Sequence, residues 1–369
     1  MPSILLIPST PAAFFHTPQT VALLQDAGYG VAVAAEQDSP FAEYIRVATN
    51  REPVSIKGRI RGYKAVLMAP CTPDEPIPEA TCPIIAAPIV GSNDDGSSSE
   101  GCGDDIPLSN GNIITLPPPP EAVSYGLLGK GRVATPEQCV EAVITALTKQ
   151  DLADMKILLT AGPTIEDADP ARFISNRSTG KMGTAIAKMA ARRGAHVYLI
   201  HGPMQAAVPP SPKIEAISVR SAQEMLEAVL ATVPKSNVAI LCAAVADFAP
   251  VQYSEEKIKK GKSQFFTLQM RRTPDILATV GALPNKPFLV GFAAESNDLT
   301  ANATDKLVRK NCDMLCANDI TAPGCGFATQ TNRLLVFKRD GSCTEIPLAT
   351  KEHVANSLLT IISKSAIRN

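Results

Sequence analysis

The sequence predicts a two-domain α/β protein with mostly parallel sheets, and three observations carry that expectation. Its 369 residues exceed what one hydrophobic core usually serves, since domains cluster at ~100–200 residues. Short apolar runs alternate with segments of helical spacing in both halves, which is the pattern of βαβ units. Charge is also divided unevenly: residues 1–150 hold 9 Lys+Arg against 16 Asp+Glu, and residues 151–369 hold 26 against 20. The boundary is placed at Lys149–Asp151, giving domains 1–150 and 151–369.

In the first half, Ser3–Pro8 reads as a buried strand, Gln19–Ala27 as a helix closed by Gly28, and Gly30–Ala35 as a second strand. Ala65–Ala69 and Pro83–Ile89 are further strand-like runs. Gly91–Asp105, with five acidic residues and no base, and Pro117–Pro120 lack apolar periodicity and read as loop or partly disordered chain; Ala134–Thr148 has helical spacing. In the second half, strands are expected at Lys156–Thr160, Val197–Ile200 and Val238–Ala243, with helices at Met182–Arg193 and Ala222–Thr232 between them. Such alternation implies helices on both faces of the sheet. Then follow Phe266–Met270, Pro274–Gly281, Phe288–Phe292, a helix around Asn302–Lys310, Met314–Ala317, a hairpin of Arg333–Lys338 with Cys343–Pro347, and a final helix Lys351–Lys364.

Composition excludes several classes of function. With 45% apolar and 19% charged residues the chain can bury cores. A net charge of -1, 5% aromatic residues and no Trp argue against a nucleic-acid partner. The uncharged stretch before Asp26 has no basic n-region and is interrupted by Pro8, Pro11 and Pro18, so no signal peptide is expected; no apolar run reaches the ~18–20 residues that span a bilayer. Nine Cys without CxxC spacing suggest reduced thiols and a cytoplasmic protein.

Chemistry concentrates in the second half. About twenty residues, Thr160–Gly183, separate a strand from the next helix, where ~2–6 are usual, and long loops at carboxyl ends of parallel strands bind ligands. The loop ends Ser178-Thr179-Gly180-Lys181-Met182-Gly183 at a helix N-terminus, a phosphate-attracting position, although it is neither a P-loop nor GxGxxG and a bland capped loop is an equal alternative. Asp247, ending Ala243–Asp247 just beyond an apolar strand, suits either a Mg2+ ligand or a helix N-cap. Lys257, Lys259, Lys260 and Lys262 form either a solvated charge run or a lysine loop that closes over a triphosphate. Lys306 and Lys310 share a helix face at i,i+4, and Phe292 is either core or the wall of a base pocket.

Taken in order, TAGPT, DPxRFISNxSTGKMG, AAVADF, EKIKK, PDI, GFAAES, KxxRKNxDxxxAND and GFATQTN resemble bacterial phosphopantothenate–cysteine ligase, the synthetase half of the bifunctional coenzyme A biosynthesis proteins, over residues 155–369. The resemblance implies a Rossmann-like ligase domain that activates 4'-phosphopantothenate with CTP as cosubstrate, forms an acyl-cytidylate, and lets L-cysteine displace CMP. It implies Asn176 and Lys257 as catalytic residues, Asp247 near CTP and its Mg2+, and Gly180, Gly183, Ala243, Pro274, Asp275, Ile276, Leu277, Phe292, Lys306 and Lys310 among the CTP contacts. A homo-oligomer, at least a dimer through the ligase domain, is expected.

Residues 1–150 resemble the family's flavin-dependent decarboxylase only as a degenerate flavodoxin-like copy. No His lies between His16 and His196, Tyr125 stands where the reactive Cys belongs in Ser124–Arg132, and Pro88-Ile89-Val90-Gly91 replaces PAMN. Loss of decarboxylation and no bound FMN are therefore expected. The alternatives are a bifunctional enzyme with displaced residues and a regulatory subunit of a separate decarboxylase.

Overall fold

The computed structural model describes the chain except residues 1–2, 9–12, 36–41, 57–59, 72–77, 89, 92–112, 117–122, 125–129, 133, 260–263, 265, 296–298, 320 and 367–369. The expected loops at 92–105 and Pro117–Pro120, together with Tyr125, Lys260 and Lys262, lie outside the described residues. The chain divides into two compact units, Met1–Lys149 and Gln150–Asn369.

The first unit runs β1 (Ile4–Ile7), α1 (Ala13–Asp26), β2 (Val31–Val33), α2 (Ala42–Thr49), β3 (Ala65–Cys71), β4 (Ile84–Pro88), β5 (Val90–Gly91), β6 (Ile113–Thr115), β7 (Val123–Ser124), β8 (Lys130–Arg132) and α3 (Pro136–Leu147). Strands β2-β1-β3-β4-β6 form a parallel sheet, and β5-β8-β7 a small antiparallel one. Period-2 alternation sorts the parallel strands onto two cores. Ile4, Leu6, Val31, Val33, Leu67 and Ile85 join Val21 and Leu24 of α1, Ile45 of α2 and Val143 of α3. Leu5, Ala32, Val66, Met68, Ile84 and Ala86 form the opposite core, covered by Val54, Ile56, Ile60, Tyr63 and Cys82. Among the described residues, all three helices of this unit therefore pack on one face, and the residues that cover the other come from irregular chain. Helix α1 also begins before Pro18, because burial of Thr17, Thr20, Val21 and Leu24 holds a turn that a proline-based boundary would cut away. At α3, Thr135 and Gln138 make a reciprocal capping box with Pro136 following the cap.

The second unit runs β9 (Lys156–Ala161), β10 (Ile165–Asp169), β11 (Arg172–Ser175), α4 (Lys181–Arg192), β12 (His196–His201), β13 (Ile214–Ser218), α5 (Ala222–Thr232), β14 (Val238–Leu241), β15 (Phe248–Pro250), β16 (Met270–Arg272), α6 (Ile276–Gly281), β17 (Phe288–Glu295), α7 (Leu299–Arg309), β18 (Met314–Asp319), β19 (Thr331–Lys338), β20 (Cys343–Thr350) and α8 (Lys351–Ala366). Its eight-stranded sheet has the order β13-β12-β9-β14-β17-β18-β19-β20, parallel through β18 and antiparallel for β19 and β20. Helices cover both faces: α4 and α8 close one core over Leu159, Ile240 and Val290, and α5, α6 and α7 close the other over Leu158, Ala239 and Leu289.

Two differences from the sequence expectation matter for the site. The connection after β9 is not a plain loop but contains the antiparallel hairpin β10–β11. Its first strand, IEDAD, buries Glu166 and Asp169, so hydropathy gives no sign of it; Glu166 is satisfied by the Ala222 amide at 2.9 Å. The run expected from Phe266 is a strand only at Met270–Arg272, where it pairs with β15.

The chain passes closely over itself after β9 and β12. A Cβ at Gly202 would coincide with the Pro163 carbonyl oxygen, a backbone atom that cannot swing aside. Gly202→Ala should therefore destabilise the second unit by about 3 kcal/mol, the upper end of overpacking costs, and lower its melting temperature by roughly 6–12 °C. Thermal melting of wild type and variant checks this; unchanged melting would contradict the close approach.

Candidate active site

Strand β9 begins the unit, and the chain winds from it to β12 and β13 on one side and to β14, β17 and β18 on the other. The carboxyl ends of β9 and β14 thus mark the point where strand order reverses, the usual ligand crevice of an open α/β sheet. The segments leaving those ends are stitched together. Ala244 N–H donates to Gly162 O at 2.9 Å, Ala243 N–H to Thr160 Oγ1 at 3.1 Å, and Ala246 N–H to Thr164 Oγ1 at 3.0 Å. Thr160 and Thr164 are buried, so each hydroxyl takes the place of a backbone acceptor that the departing chain has lost.

Asn176 follows β11 and reaches this stitch. Its Nδ2 donates to the carbonyls of Ala244, at 3.1 Å, and Val245, at 3.0 Å. Both amide hydrogens are thereby committed, and Oδ1 is the part of the amide left to accept a hydrogen bond from a ligand. Asn176 lines an open cleft of about 540 Å3 with Ile165, Phe173, Ser175, Arg177, Ser178, Met204 and Gln205.

Gly180 caps α4 at φ +80, and a Cβ there would fall within the Met204 side chain. No side chain caps this helix, so its first N–H groups keep their capacity for an anion. Gly183 serves packing: a Cβ would lie 2.5 Å from that of Ala161 on β9. The turn before α4 is fixed to the segment before β19 by Thr179 Oγ1 to Phe327 O at 2.7 Å and Lys181 Nζ to Ala328 O at 2.9 Å. Buried Lys351 supports the same segment, donating to the carbonyls of Gly326, Phe327 and Thr329.

Other sequence-predicted residues fall into three places. Asp275 caps α6 by accepting from Ala278 N–H at 2.9 Å and pairs with Lys310, which lies just past α7 and continues its helical bonding by donating its N–H to Lys306 O at 3.0 Å. Burial alone would raise the Asp275 carboxyl, but the Lys310 and Ala278 hydrogen bonds and the charges of Lys310 and Lys306 outweigh it and hold it below the usual value. Ile276 and Leu277 stand on this same face, in or against the core beneath α5, α6 and α7, whereas half-buried Phe292 packs with the core on the α4 and α8 face. Exposed Asp247 precedes strand β15, so the helix-cap alternative is not realised. Exposed Lys257 lies beside Ile258, which is gripped by Asp169 and Arg172 of the hairpin.

Two of the cysteines are held as neutral thiols. Burial pushes the Cys242 thiol up to about 12 and that of Cys312 to about 11.

Sequence reasoning singled out Asn176 and the glycines but missed Asp169, Arg172, Thr160, Thr164 and Lys351. The first two sit inside the quoted DPxRFISN segment and were open to recognition; Lys351 reads only as the first residue of an amphipathic helix.

Comparison with known proteins places this arrangement. The family model described as the DNA/pantothenate metabolism flavoprotein C-terminal domain matches residues 152–366. The chain belongs to that family. The Coenzyme A biosynthesis bifunctional protein CoaBC of Escherichia coli (strain K12) is 41% identical over 256 residues, 68% of this chain and 62% of that one. The chain thus spans less than two thirds of that bifunctional relative's length. A cysteine/cysteine sulfinic acid decarboxylase from an unknown prokaryotic organism is 41% identical over 286 residues, 76% of this chain and 79% of that protein. Among solved structures, the C-terminal domain of Coenzyme A biosynthesis bifunctional protein CoaBC aligns at 38% identity and a TM-score of 0.51, covering 60% of this chain and all of that domain. In this family member, as in the sequence reading, the second unit is a mixed α/β domain dominated by parallel strands.

The Asp275–Lys310 pair sets a pH dependence. Because the folded carboxyl lies below its ordinary 3.8, the pair's contribution is full above that value and is lost as pH falls through the lower folded value. Asp275 is half exposed, so the stability gap between wild type and Lys310→Gln should be at most about 1 kcal/mol at pH 7 and close as pH falls below 3.8 through the lower folded value. Urea unfolding of both proteins across that range measures it.

Proposed function

We propose that residues 150–369 catalyse CTP-dependent ligation of 4'-phosphopantothenate with L-cysteine, through an acyl-cytidylate, in coenzyme A biosynthesis. The observation that carries this reading is the delivery of Asn176 to the switch point of the sheet with its amide hydrogens already committed to Ala244 and Val245. Similarity to the coenzyme A biosynthesis relatives supports the substrate class.

In the first half-reaction a carboxylate oxygen of phosphopantothenate attacks the α-phosphorus of CTP, and the bond to the β-phosphate breaks so that pyrophosphate leaves with the charge. Lys257 supplies positive charge to that leaving group. Lys306, Lys310 and Asp275 orient the nucleotide, with Pro274 and half-buried Leu277 toward its base and sugar and Gly180 and Ala243 allowing close backbone approach; Ile276 and Gly183 support this arrangement through packing, and Phe292 does so from the other face of the sheet. Mg2+ carried with the triphosphate would screen its charge, and Asp247 is the residue assigned to hold it. Among the described residues no group of three His, Cys, Asp or Glu side chains forms a metal site. A single carboxylate plus substrate phosphates suits Mg2+, which is commonly bound in that way. In the second half-reaction the cysteine nitrogen attacks the acyl carbon, the acyl–phosphate bond breaks, and CMP departs. Asn176 Oδ1 accepts from the attacking amine and so orients it.

The unit is read as at least a homodimer in the cytoplasm. Exposed Phe173, Phe248, Val251 and Tyr253, on or beside its two small hairpins, supply an apolar surface for association. Among the described residues, no helix is long and apolar enough to cross a membrane.

For the first unit we read a degenerate flavodoxin-like domain without decarboxylase activity or FMN. Its parallel order β2-β1-β3-β4-β6 is the doubly wound order of flavodoxin-like sheets, with helices on one face only among the described residues. A second reading, retained decarboxylation, is favoured by one observation: the 286-residue match to a decarboxylase is longer than Gln150–Asn369 and therefore enters the first unit.

Three measurements decide among these readings. Purified protein given phosphopantothenate, cysteine, CTP and Mg2+ should release pyrophosphate, with little turnover when ATP replaces CTP, and should carry no stoichiometric flavin and release no CO2 from phosphopantothenoylcysteine. Flavin absorbance with CO2 release would establish the second reading. Asn176→Asp, which loses both donors to Ala244 and Val245, should let acyl-cytidylate accumulate in quenched reactions; normal product formation would remove its transfer role. Lys257→Gln should slow single-turnover acyl-cytidylate formation by ~100- to 1,000-fold, since a contact made mainly in the transition state is worth roughly 2.7–4 kcal/mol. Its melting temperature should hold, because surface changes usually stay within about 0.5 kcal/mol.

A further inference from the structure

Asp169 ends β10 with a side chain that is wholly buried, and it is saturated with donors. Oδ1 accepts from the amides of Ala171 and Arg172, each at 2.8 Å. Oδ2 accepts from Arg172 Nε at 2.9 Å and, across the sequence, from Ile258 N–H at 3.0 Å. Arg172 turns its Nη2 to the Ile258 carbonyl oxygen, so both polar groups of one loop residue are held by one ion pair. Three residues earlier than Lys257 the loop is tied again, by Ser254 N–H to Ala168 O at 3.0 Å. Lys257 and Lys259 themselves are exposed on either side of the gripped residue.

We propose that Asp169 and Arg172 form a latch that positions the lysine loop, gripping Ile258 by its N–H and its C=O and so setting where Lys257 stands. This inference rests on the ligase reading only for the role of Lys257. A surface ion pair is ordinarily worth little, but here the carboxylate is removed from water and its partners are mostly fixed backbone N–H groups, so its place is set by the fold rather than by side-chain chance. Burial would raise the Asp169 carboxyl; the amides of Ala171, Ile258 and Arg172 and the Arg172 charge together hold it below the ordinary value, which keeps it an acceptor. The same hairpin carries Asn176 four residues after Arg172. One rigid ribbon therefore sets both the group assigned to amine transfer and, through the latch, the lysine assigned to carboxylate activation. Asp169 and Arg172 are positioning residues, acting through Lys257.

The test uses the full chain and two variants that attack the latch from opposite sides. Arg172→Gln removes the guanidinium that holds the Ile258 carbonyl, and Ile258→Pro removes the N–H that Asp169 accepts while leaving the hairpin untouched. Without any substrate, limited trypsin digestion followed by mass spectrometry should show cleavage after Lys259 at least about tenfold faster in both variants, with unchanged melting; cleavage after Lys257 is read in Arg172→Gln alone, because trypsin does not cut the Lys–Pro bond that Ile258→Pro creates. In single-turnover acyl-cytidylate formation each variant should lose roughly 10- to 100-fold, the scale of a misplacement of about 1 Å. In the Lys257→Gln background the loss from Arg172→Gln should nearly vanish, because the two residues act through one contact. Unchanged cleavage overturns the latch whatever the enzyme does. Faster cleavage with fully additive rate losses overturns the positioning of Lys257. Faster cleavage in a protein whose wild type makes no acyl-cytidylate keeps the latch and removes the ligase reading.

Discussion

The backbone stitch between the segments leaving β9 and β14 is the constraint on which the candidate site depends. Two parallel strands that end side by side send their chains away from the sheet, and the amides just beyond their ends would otherwise lack acceptors. Here the buried hydroxyls of Thr160 and Thr164 accept from Ala243 and Ala246, and Gly162 accepts from Ala244. The Val245 carbonyl and the Ala244 carbonyl, the latter shared with Thr164 N–H, are the two acceptors that Asn176 takes. Remove the stitch and the asparagine has nothing against which to be oriented.

From that point the second unit separates two chemical tasks. The Asp275–Lys310 pair, on the face of α5, α6 and α7, offers a fixed positive and negative charge at the end of a helix. The β10–β11 hairpin, the uncapped start of α4 and the cleft by Asn176 offer amide chemistry and an anion-compatible helix terminus. The buried Lys351 adds rigidity from beneath: its ammonium satisfies three carbonyls of the segment that also receives Thr179 and Lys181. Its burial would be costly for an unpaired charge, and the carbonyl cage is what offsets that cost.

The first unit follows the same grammar with less conviction. Its strands alternate cleanly between two cores, yet among the described residues its helices lie on one face, and Val54, Ile56, Ile60 and Tyr63 cover the other from irregular chain. A sheet covered in this way remains a folded scaffold without presenting two helical faces.

Much of this was legible in the residues because the relevant signals are local. Period-2 and period-3.6 apolar patterning gives β9, β12, β14, α4 and α5 almost at their observed limits, since buried strands and amphipathic helices must show that patterning wherever they sit. Asn176, Gly180 and the Asp275 segment stood out through ordered motifs. What only the tertiary structure decided are features whose stabilising partners lie far along the chain. Strand β10 buries acids, and that is tolerable only because Ala222, 56 residues away, and Ile258, 89 residues away, bring N–H groups to Glu166 and Asp169. Lys351 turns inward because carbonyls more than twenty residues earlier converge on it. A one-dimensional hydropathy pattern records what a side chain costs to bury, whereas long-range folding decides which donor arrives to meet that cost.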